Sequence, residues 1–459
     1  MNLVLLSGGS GKRLWPLSND VRSKQFLKLL TDENGQRQSM VQRVFSQIEE
    51  VCPDSNIVVA TSESQADPLR NQLGQGVELV LEPERRDTFP AIALACAYLE
   101  SKKQLSRDEV VVVMPVDPYT ELGFFRTFAD MEKAVQSDCA ELVLMGIRPA
   151  FASPKYGYMT YECDGDSFLT PSVPRKVTGF VEKPEPERAE KLIEEGAVWN
   201  SGVFAFRLGY VLDLVRAELP FDNYDELRRN YGKLTRTSFD YKVVEHAKSI
   251  AAVFFDGKWK DLGTWTTISD EMAAPALGNV IMDGCSGSFA VNDLGIPMVI
   301  IGVDNIVAAA SHDGILISSI AASPRVKDHA NEIAARPMQE EKRWGEYSVV
   351  DTAEYSDGMR SITKHMVINK GQAISYQMHS KRDELWSVTD GEGLLCIDGA
   401  YRIMRRGDSV TIARGSRHAV RALTKLHLIE VQLGSDLDES DIERFDFEMP
   451  YSAEGLQCE

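Results

Sequence analysis

The chain opens with an apolar run that passes directly into a glycine-rich loop, and this junction constrains the fold more than any other part of the sequence. Residues 2–7 have the composition of a buried β-strand, three glycines follow within positions 8–11, and Lys12 and Arg13 come next. Glycine lets the backbone approach an anion closely, and fixed positive charge stabilises the anion there. The junction therefore predicts the first strand of an α/β protein, followed by a loop that holds the phosphates of a nucleoside triphosphate.

Two common nucleotide-binding motifs do not fit this loop. The dinucleotide motif would need glycine where Leu14 stands, and the Walker motif would need Ser or Thr where Arg13 stands. The loop instead continues into Leu-Trp-Pro-Leu-Ser at 14–18 and Ser-Lys-Gln-Phe at 23–26. This longer pattern resembles the signature of the sugar-1-phosphate nucleotidyltransferases, and that of the mannose-1-phosphate guanylyltransferases most closely.

Apolar strands alternate with helices through the first half of the chain. The sequence predicts strands at 56–60, 110–115 and 141–147, and helices around 39–50, 89–104 and 125–137. Continuous apolar strands are buried on both faces, so the alternation implies a largely parallel, Rossmann-like sheet flanked by helices. Ligands of such sheets bind at the carboxyl ends of the strands, where the glycine loop also lies.

Two aspartates are candidates for holding a metal ion. Asp117 follows the strand at 110–115, and Asp261 lies between Trp259 and Trp265. Magnesium prefers hard oxygen ligands and takes one or two protein carboxylates besides the phosphates of a substrate. Residue type alone favours a turn or a helix cap for each aspartate. The family resemblance reverses this preference, because it implies that both carboxylates hold Mg²⁺.

The resemblance also implies which residues hold the two substrates. Segments 178–184 and 199–206 match family motifs, and Tyr156–Tyr158 resembles a third. The residues that match the family's sugar site are Gly157, Glu182, Lys183 and Asn200. Those that match its nucleotide site are Leu6, Gly8, Gly9, Ser10, Gly11, Lys12, Arg13, Lys24, Glu82 and Arg86.

The implied reaction is attack of a sugar-1-phosphate oxygen on the α-phosphorus of the triphosphate, with release of pyrophosphate. Such a transfer needs positive charge and in-line positioning, but no covalent enzyme intermediate. Arg13 and Lys24 are the leading catalytic candidates, together with the loop amides and Mg²⁺.

The composition changes after the first domain. Short apolar strands separated by Gly, Asp and Asn predict a small β-rich connector at 278–320, and the resemblance implies a β-helix-like layer there. Polar residues 323–343 predict a helix and a linker. The predicted domains are a nucleotidyltransferase domain at 1–272, the connector and linker at 273–343, and a second functional domain at 344–459.

The second functional domain carries two motifs with the spacing of a cupin β-barrel. The first contains Gln377, His379 and Glu384, and the second ends at His418. Gln377 and His379 lie two apart on a predicted strand, so their side chains point the same way. Two imidazoles, a carboxylate and an amide oxygen favour Zn, Mn, Fe or Co.

The order of the domains resembles the bifunctional mannose-1-phosphate guanylyltransferases, whose C-terminal cupin is a mannose-6-phosphate isomerase. The resemblance implies that the metal polarises substrate oxygens while a proton moves between C1 and C2, and that Arg382 holds the substrate phosphate. Ser380 and Lys381 replace histidines that are common in the family motif, and Ala413 replaces a proline. None of these changes removes a predicted ligand, but they leave isomerase activity open.

Three alternatives remain at this point. The enzyme could use another triphosphate or another sugar 1-phosphate, because the preference for GTP and mannose 1-phosphate depends on resemblance alone. The cupin could be a structural or dimerising module. The whole chain could be a catalytically silent regulator that binds a sugar nucleotide, although a pure sensor does not need a pair of metal-binding aspartates.

The charge of the chain excludes several classes of partner. The net charge of −19 and the pI near 5.0 argue against a nucleic-acid or anionic-membrane surface. Seven cysteines stand singly without a CxxC pair, which predicts reduced thiols and a cytoplasmic protein. We expect GTP, mannose 1-phosphate and, for the cupin, mannose 6-phosphate as small-molecule partners, and a homo-oligomer, with a dimer as the first expectation.

Overall fold

The computed structural model describes residues 1–9, 11–19, 21–162, 172–333 and 336–452. Ser10, which the sequence assigns to the nucleotide, lies outside the described residues.

The chain divides into two compact units. The first comprises Met1–Arg13 and Ser23–Ala274, and the second comprises Leu14–Arg22 and Pro275–Glu459. The glycine loop and the segment that follows it in the family signature therefore belong to different units. The domain boundaries at 272 and 343 stay predictions.

The first unit is built from strands and helices in alternation. Its strands are β1 Asn2–Ser7, β2 Leu30–Thr31, β3 Arg37–Gln38, β4 Asn56–Ser62, β5 Leu79–Glu82, β6 Val110–Pro115, β7 Pro118–Thr120, β8 Leu142–Ile147, β9 Gly157–Tyr161, β10 Arg175–Glu182, β11 Val198–Arg207, β12 Ile250–Phe255 and β13 Trp259–Asp261. Its helices are α1 Met40–Val51, α2 Ala66–Leu73, α3 Thr88–Ser101, α4 Leu122–Gln136, α5 Pro186–Glu194, α6 Leu208–Glu218, α7 Tyr224–Arg229, α8 Phe239–Lys242 and α9 Trp265–Ile268. The predicted strands and helices of this region are confirmed, with ends that differ by a few residues.

The main sheet of this unit has the strand order β5-β4-β1-β6-β11-β8-β12-β10-β9. Apolar side chains fill both of its faces: α3 and α6 contribute to the core on one face, and α1 and α4 to the core on the other. The strands β5, β4, β1 and β6 are parallel, as predicted, and so are β8 and β12. The sheet is nevertheless mixed, because β11 runs antiparallel between β6 and β8. The first residues of β11 therefore lie at the carboxyl ends of the parallel strands.

The connector lies in the second unit and consists of short strands with a helix after them. These are β14 Ala276–Gly278, β15 Val280–Asp283, β16 Phe289–Asn292, β17 Met298–Ile301, β18 Ile306–Ser311, β19 Gly314–Ser319 and α10 Val326–Glu332. The pairs β14–β16, β16–β18 and β15–β17 are parallel although each connection is short. Parallel neighbours joined in this way form successive coils around a small apolar interior, which agrees with the predicted β-helix-like layer.

The segment 14–22 packs against this connector. The Ser311 hydroxyl donates a hydrogen bond to the Pro16 carbonyl at 2.7 Å, and the Asn19 side-chain amide donates one to the Asp313 carboxylate at 2.8 Å. The indole of Trp15 lies directly over Gly314. The Leu-Trp-Pro-Leu-Ser part of the signature thus has a packing role that the sequence did not indicate.

We expect Gly314→Ala to destabilise the protein by about 1–3 kcal/mol. A Cβ at Gly314 would lie 2.6 Å from Trp15 Cζ2, and the backbone φ of +148° is one that side-chain-bearing residues rarely adopt. Thermal and urea unfolding of the purified variant measure the change. Gly295→Ala is the matched control, because a Cβ there would meet no atom within 4 Å. Equal stability of both variants would show that Trp15 moves aside at no cost.

The cupin part of the second unit is an antiparallel barrel of two sheets. Its strands are β20 Gln339–Lys342, β21 Gly345–Glu354, β22 Arg360–Ile368, β23 Gln377–His379, β24 Arg382–Asp390, β25 Glu392–Ile397, β26 Ala400–Arg405, β27 Ser409–Ile412, β28 His418–Ala422, β29 Leu426–Gly434 and β30 Ile442–Arg444. One sheet has the order β20-β21-β22-β29-β24-β27 and the other β26-β25-β28-β23-β30. Apolar side chains fill one part of the interior, and buried charged side chains the remainder.

Two further observations concern the whole described chain. No helix among the described residues is long and apolar enough to cross a membrane. The five cysteines in that part of the chain, at positions 52, 96, 139, 285 and 396, are free thiols.

Candidate functional site

The glycine loop borders a cleft of about 760 Å³ at the carboxyl ends of β1 and its neighbours. We call this the loop cleft. Among the residues that the sequence assigned to the nucleotide, the loop cleft is lined by Leu6, Gly8, Gly9, Lys24, Glu82 and Arg86. Gly11 packs instead against the backbone of Lys24, and the exposed Arg13 places its guanidinium beside Gly263. Lys12 is half-buried and lies outside the lining that the described residues form.

Lys24 joins the two predicted magnesium ligands. Its ammonium lies 2.6 Å from Asp117 Oδ2 and 3.4 Å from Asp261 Oδ1. Burial alone would lower the pKa of Lys24, but the two carboxylates outweigh it and raise that pKa to about 12. Lys24 therefore stays a cation near neutral pH. β13 pairs with β7 so that Asp261 lies opposite Pro118, which explains how residues so far apart in sequence meet.

The donor set around Lys24 fits a magnesium ion. Asp117 and Asp261 offer hard carboxylate oxygens that both contact the Lys24 ammonium, and both side chains are about one-third exposed. Magnesium needs only one or two protein carboxylates and fills its other positions with water and substrate phosphate.

A second cleft, of about 590 Å³, lies on the other side of Asp117. We call it the Asn200 cleft. Gly157 on β9 pairs with Glu182 on β10 and with Asn200 on β11, so three predicted sugar-binding residues lie side by side. A Cβ at Gly157 would stand 2.5 Å from Glu182 Oε2, so a larger residue here would displace that carboxylate. Lys183, half-exposed, donates to Glu182 Oε1 at 2.7 Å.

Asp240 is a lining residue of the Asn200 cleft that sequence analysis missed. It lies on the four-residue helix α8 and accepts a hydrogen bond from the Asn200 amide at 2.7 Å. Burial and the charge of Glu182 raise the pKa of Asp240 to about 7. The segment around it has no motif that the sequence analysis had singled out, and only the fold brings it to Asn200.

Glu82 closes one side of the loop cleft. It is 4% exposed, and its Oε2 accepts a hydrogen bond from the Tyr231 hydroxyl at 2.6 Å. Burial raises the pKa of Glu82, while the Tyr231 hydrogen bond favours the carboxylate. Arg86 lines the same cleft, but its guanidinium donates to the Leu234 carbonyl at 2.9 Å and is therefore held in place.

The cupin barrel brings together the histidines and the glutamate that the sequence predicted as metal ligands. One ligand atom from each of His379, Glu384 and His418 lies within 4.8 Å of the others, and all three residues are buried. Gln377, also predicted, lies on β23 beside His379, and its side-chain nitrogen is 3.4 Å from His379 Nε2.

The buried cluster fits a transition-metal ion. His418 Nδ1 donates to the Ser416 carbonyl at 3.1 Å, which orients the ring so that Nε2 faces the cluster, 3.4 Å from Glu384 Oε2. Burial lowers the pKa of His379 to about 4, so its imidazole is neutral. Burial would raise the pKa of Glu384, but the two histidines and Arg382 outweigh it and lower that pKa. A neutral His379 imidazole beside the Glu384 carboxylate has the protonation state that metal binding needs.

Further buried charged side chains lie beside this cluster: Arg382, which the resemblance assigned to the substrate phosphate, and Glu430, which the sequence analysis did not name. Arg382 is buried, not exposed, and donates to Glu384 Oε1 at 3.0 Å. The Trp386 indole N–H lies 3.2 Å from both Glu384 and Glu430. Burial and the charge of Glu384 raise the pKa of Glu430, against the attraction of Lys364. Glu430 lies between Ile429 and Val431 on β29, so the alternating pattern did not distinguish it from an ordinary strand residue.

Comparison with known proteins covers both parts of the chain. Residues 2–276 match the family model described as nucleotidyl transferase, and residues 330–447 match that of the mannose-6-phosphate isomerase C-terminal domain. Both predicted domain types are thereby confirmed.

Relatives and a solved structure agree with these matches. The alginate biosynthesis protein AlgA of Pseudomonas aeruginosa is 31% identical, with 96% of each chain covered. The mannose-1-phosphate guanylyltransferase ManC of Salmonella typhimurium is 30% identical, with 96% of this chain and 97% of that protein covered. A crystal structure of mannose-1-phosphate geranyltransferase from Thermus thermophilus superposes with a TM-score of 0.59 at 27% identity, covering 73% of this chain and 99% of the other.

Proposed function

The chain belongs to the nucleotidyl transferase family, among the mannose-1-phosphate guanylyltransferases that carry a C-terminal mannose-6-phosphate isomerase domain, and on this premise we propose its reaction. The protein transfers GMP from GTP to mannose 1-phosphate, giving GDP-mannose and pyrophosphate.

The observation that carries this proposal is the position of Asp117. It lines both the loop cleft and the Asn200 cleft, so it lies where two substrates bound in neighbouring clefts would meet. Lys24 lines the first cleft and Asp261 the second, and their charged groups approach each other at this junction. A transfer between a nucleotide and a sugar phosphate needs its reacting atoms at such a junction.

The chemistry follows from the charges at this junction. An oxygen of the sugar 1-phosphate forms a bond to the α-phosphorus of GTP, and the bond from that phosphorus to the bridging β-phosphate oxygen breaks. Pyrophosphate leaves with the electron pair. Lys24 and Arg13 stabilise the charge that gathers on the phosphate oxygens, and Asp117 and Asp261 would hold Mg²⁺, which neutralises phosphate charge when bound. Glu182 and Asn200 orient the sugar.

Pyrophosphate release across a grid of substrates tests the reaction and its specificity together. The purified protein is assayed with Mg²⁺, four nucleoside triphosphates, and the 1-phosphates of mannose, glucose, fucose and N-acetylglucosamine. We expect the highest kcat/KM with GTP and mannose 1-phosphate. A maximum at another pair would reassign the substrates and keep the reaction, whereas no release from any pair would overturn the proposal and favour the silent regulator.

We propose that Glu82 selects the guanine base. Tyr231 occupies one of its carboxylate oxygens, and the other lies beside Gly8 in the loop cleft. A carboxylate only accepts hydrogen bonds, and guanine offers two donors, N1–H and the 2-amino group, on one edge. Adenine and cytosine present an acceptor on that edge, so a carboxylate rejects them.

Glu82→Gln is therefore expected to lower kcat/KM for GTP by about 10–100-fold, because hydrogen bonds to a charged acceptor contribute about 1.5–3 kcal/mol. For inosine triphosphate, which lacks the 2-amino group, kcat/KM should fall by a smaller factor than for GTP. Steady-state kinetics with both nucleotides measure this difference. Glu84→Gln is the matched control, since Glu84 is half-exposed and lies outside the described lining of the cleft. An equal loss for both nucleotides would contradict a contact to the 2-amino group.

For the cupin domain we propose isomerisation of mannose 6-phosphate and fructose 6-phosphate as a second activity. His379, His418, Glu384 and Gln377 would hold a divalent metal, which polarises the substrate oxygens when bound. Glu430 lies in the barrel interior and is joined to Glu384 through the Trp386 indole, so it helps to position that ligand carboxylate. Conversion of mannose 6-phosphate to fructose 6-phosphate, assayed with each of Zn, Mn, Fe and Co, tests this activity.

A further inference from the structure

A chain of buried charges leads from the proposed metal ligands towards the surface of the cupin barrel. Lys364 on β22 is 4% exposed and pairs across the sheet with Glu430 on β29. Its ammonium lies 3.5 Å from Glu430 Oε2 and 2.9 Å from Glu439 Oε1. A buried ammonium needs one counter-charge, and here it has two. Glu430 is part of the strand, whereas Glu439 belongs to the segment after β29, so Glu439 is the partner that can be replaced.

Glu439 is contacted by two side-chain cations. The same oxygen that contacts Lys364 lies 3.2 Å from Arg336 Nη2, and Arg382 Nη1 donates to the neighbouring Asp438 carbonyl at 3.4 Å. Burial would raise the pKa of Glu439, but Lys364, Arg382 and Arg336 outweigh it and lower that pKa to about 2. Two side-chain cations that converge on one carboxylate oxygen form a site that an anion of higher charge would occupy more strongly.

The cationic site and the proposed metal ligands lie in the same barrel and are linked by buried side chains. The Trp386 indole links Glu384, a proposed metal ligand, to Glu430, and Glu430 contacts Lys364. Lys364 is therefore removed from the metal ligands by two side chains. A hexose 6-phosphate carries its phosphate at one end and its reacting carbons, C1 and C2, at the other. Arg382, to which the resemblance assigned the substrate phosphate, contacts Glu384 and His379 and therefore lies at the metal end.

We propose that Lys364 and Arg336 form the binding site for the phosphate of a hexose 6-phosphate, and that the Glu439 carboxylate holds this site until the phosphate displaces it. The inference rests on the isomerase activity proposed above and deepens it. Because the phosphate must compete with Glu439, the apparent affinity of the native protein equals the intrinsic affinity multiplied by the fraction of molecules in which Glu439 has left the site.

Calorimetric titration of the full-length protein with inorganic phosphate and with mannose 6-phosphate tests the site. We expect Glu439→Gln to bind both ligands about tenfold more tightly than the native protein, and to lower KM for isomerisation with little change in kcat. Lys364→Met should bind both about tenfold more weakly. Glu443→Gln, an exposed carboxylate on β30, is the matched control and should behave as the native protein. The loop cleft is the same in every variant, so differences in affinity come from the barrel.

The possible outcomes distinguish failure of the proposed phosphate site from failure of the proposed isomerase activity. Unchanged or weaker phosphate binding by Glu439→Gln overturns the phosphate site, even where the native protein isomerises mannose 6-phosphate. Tighter phosphate binding by that variant, in a native protein that does not isomerise with any metal, leaves the site standing and overturns the isomerase proposal. Lys364→Met leaves Glu430 without its cation, so the melting temperature of this variant is measured as well. If Lys364→Met does not fold, the result for Glu439→Gln alone tests the proposal.

Discussion

Asp117→Asn is expected to lower kcat for nucleotidyl transfer by about a thousandfold, which corresponds to about 4 kcal/mol of transition-state stabilisation. Asparagine keeps the shape of the side chain but removes the charge that would hold Mg²⁺ between the two clefts. It also removes the closest counter-charge of Lys24, 2.6 Å away. The loss should therefore appear in kcat at saturating substrates, and raising the Mg²⁺ concentration should restore only part of it.

Pyrophosphate release and magnesium titration of both proteins measure this effect. Glu121→Gln is the control, because this exposed carboxylate lies just after β7 and outside the described lining of either cleft. Thermal unfolding of Asp117→Asn separates a lost metal ligand from a damaged fold. Activity within tenfold of the native protein at the same Mg²⁺ concentration would contradict the role of Asp117 as a magnesium ligand.

Much of the fold could be predicted because its determinants are local. The strand at 110–115 and the helix near 89–104 are determined by the pattern of consecutive residues. Both predictions lie within a few residues of the observed elements. The antiparallel direction of β11 could not be predicted in the same way. Strand direction depends on which neighbours a strand pairs with, and β11 satisfies its hydrogen bonds with β6 on one side and β8 on the other.

The same distinction applies to the candidate sites: residues in sequence motifs could be predicted, whereas residues that only the fold brings to the site could not. Glu182 and Asn200 stand in motifs, so resemblance could name them, and the structure explains their proximity through Gly157 on the strand between them. Asp240 and Tyr231 stand in no motif, and they matter because the fold places them beside Asn200 and Glu82. When a polar residue reaches a site only through contact with a residue distant in the sequence, a single sequence contains no pattern that predicts the contact.

His418→Ala is expected to remove the metal ion from the cupin and abolish isomerisation, while guanylyl transfer in the first unit stays within about twofold of the native rate. His418 is buried, and its Nε2 faces the Glu384 carboxylate at 3.4 Å within the cluster that also contains His379, so a metal ion held there would be bound by all three side chains. Changes to residues that only support a ligand weaken metal binding by about 10–100-fold, so loss of a ligand should weaken it by at least about 100-fold.

Elemental analysis after dialysis and calorimetric titration with Zn²⁺ and Mn²⁺ measure metal binding directly, without an assay of activity. His427→Ala is the matched control: it removes the same side chain from the same barrel, where His427 stacks on His365 and not on the metal cluster. Native metal content in His418→Ala would contradict the ligand assignment. Loss of metal together with loss of guanylyl transfer would show instead that the cupin supports the first unit, because nothing in the proposed transfer chemistry uses the barrel. Loss of metal in a protein whose native form never isomerises would identify the ion as a structural one, which stabilises the barrel by binding only its folded state.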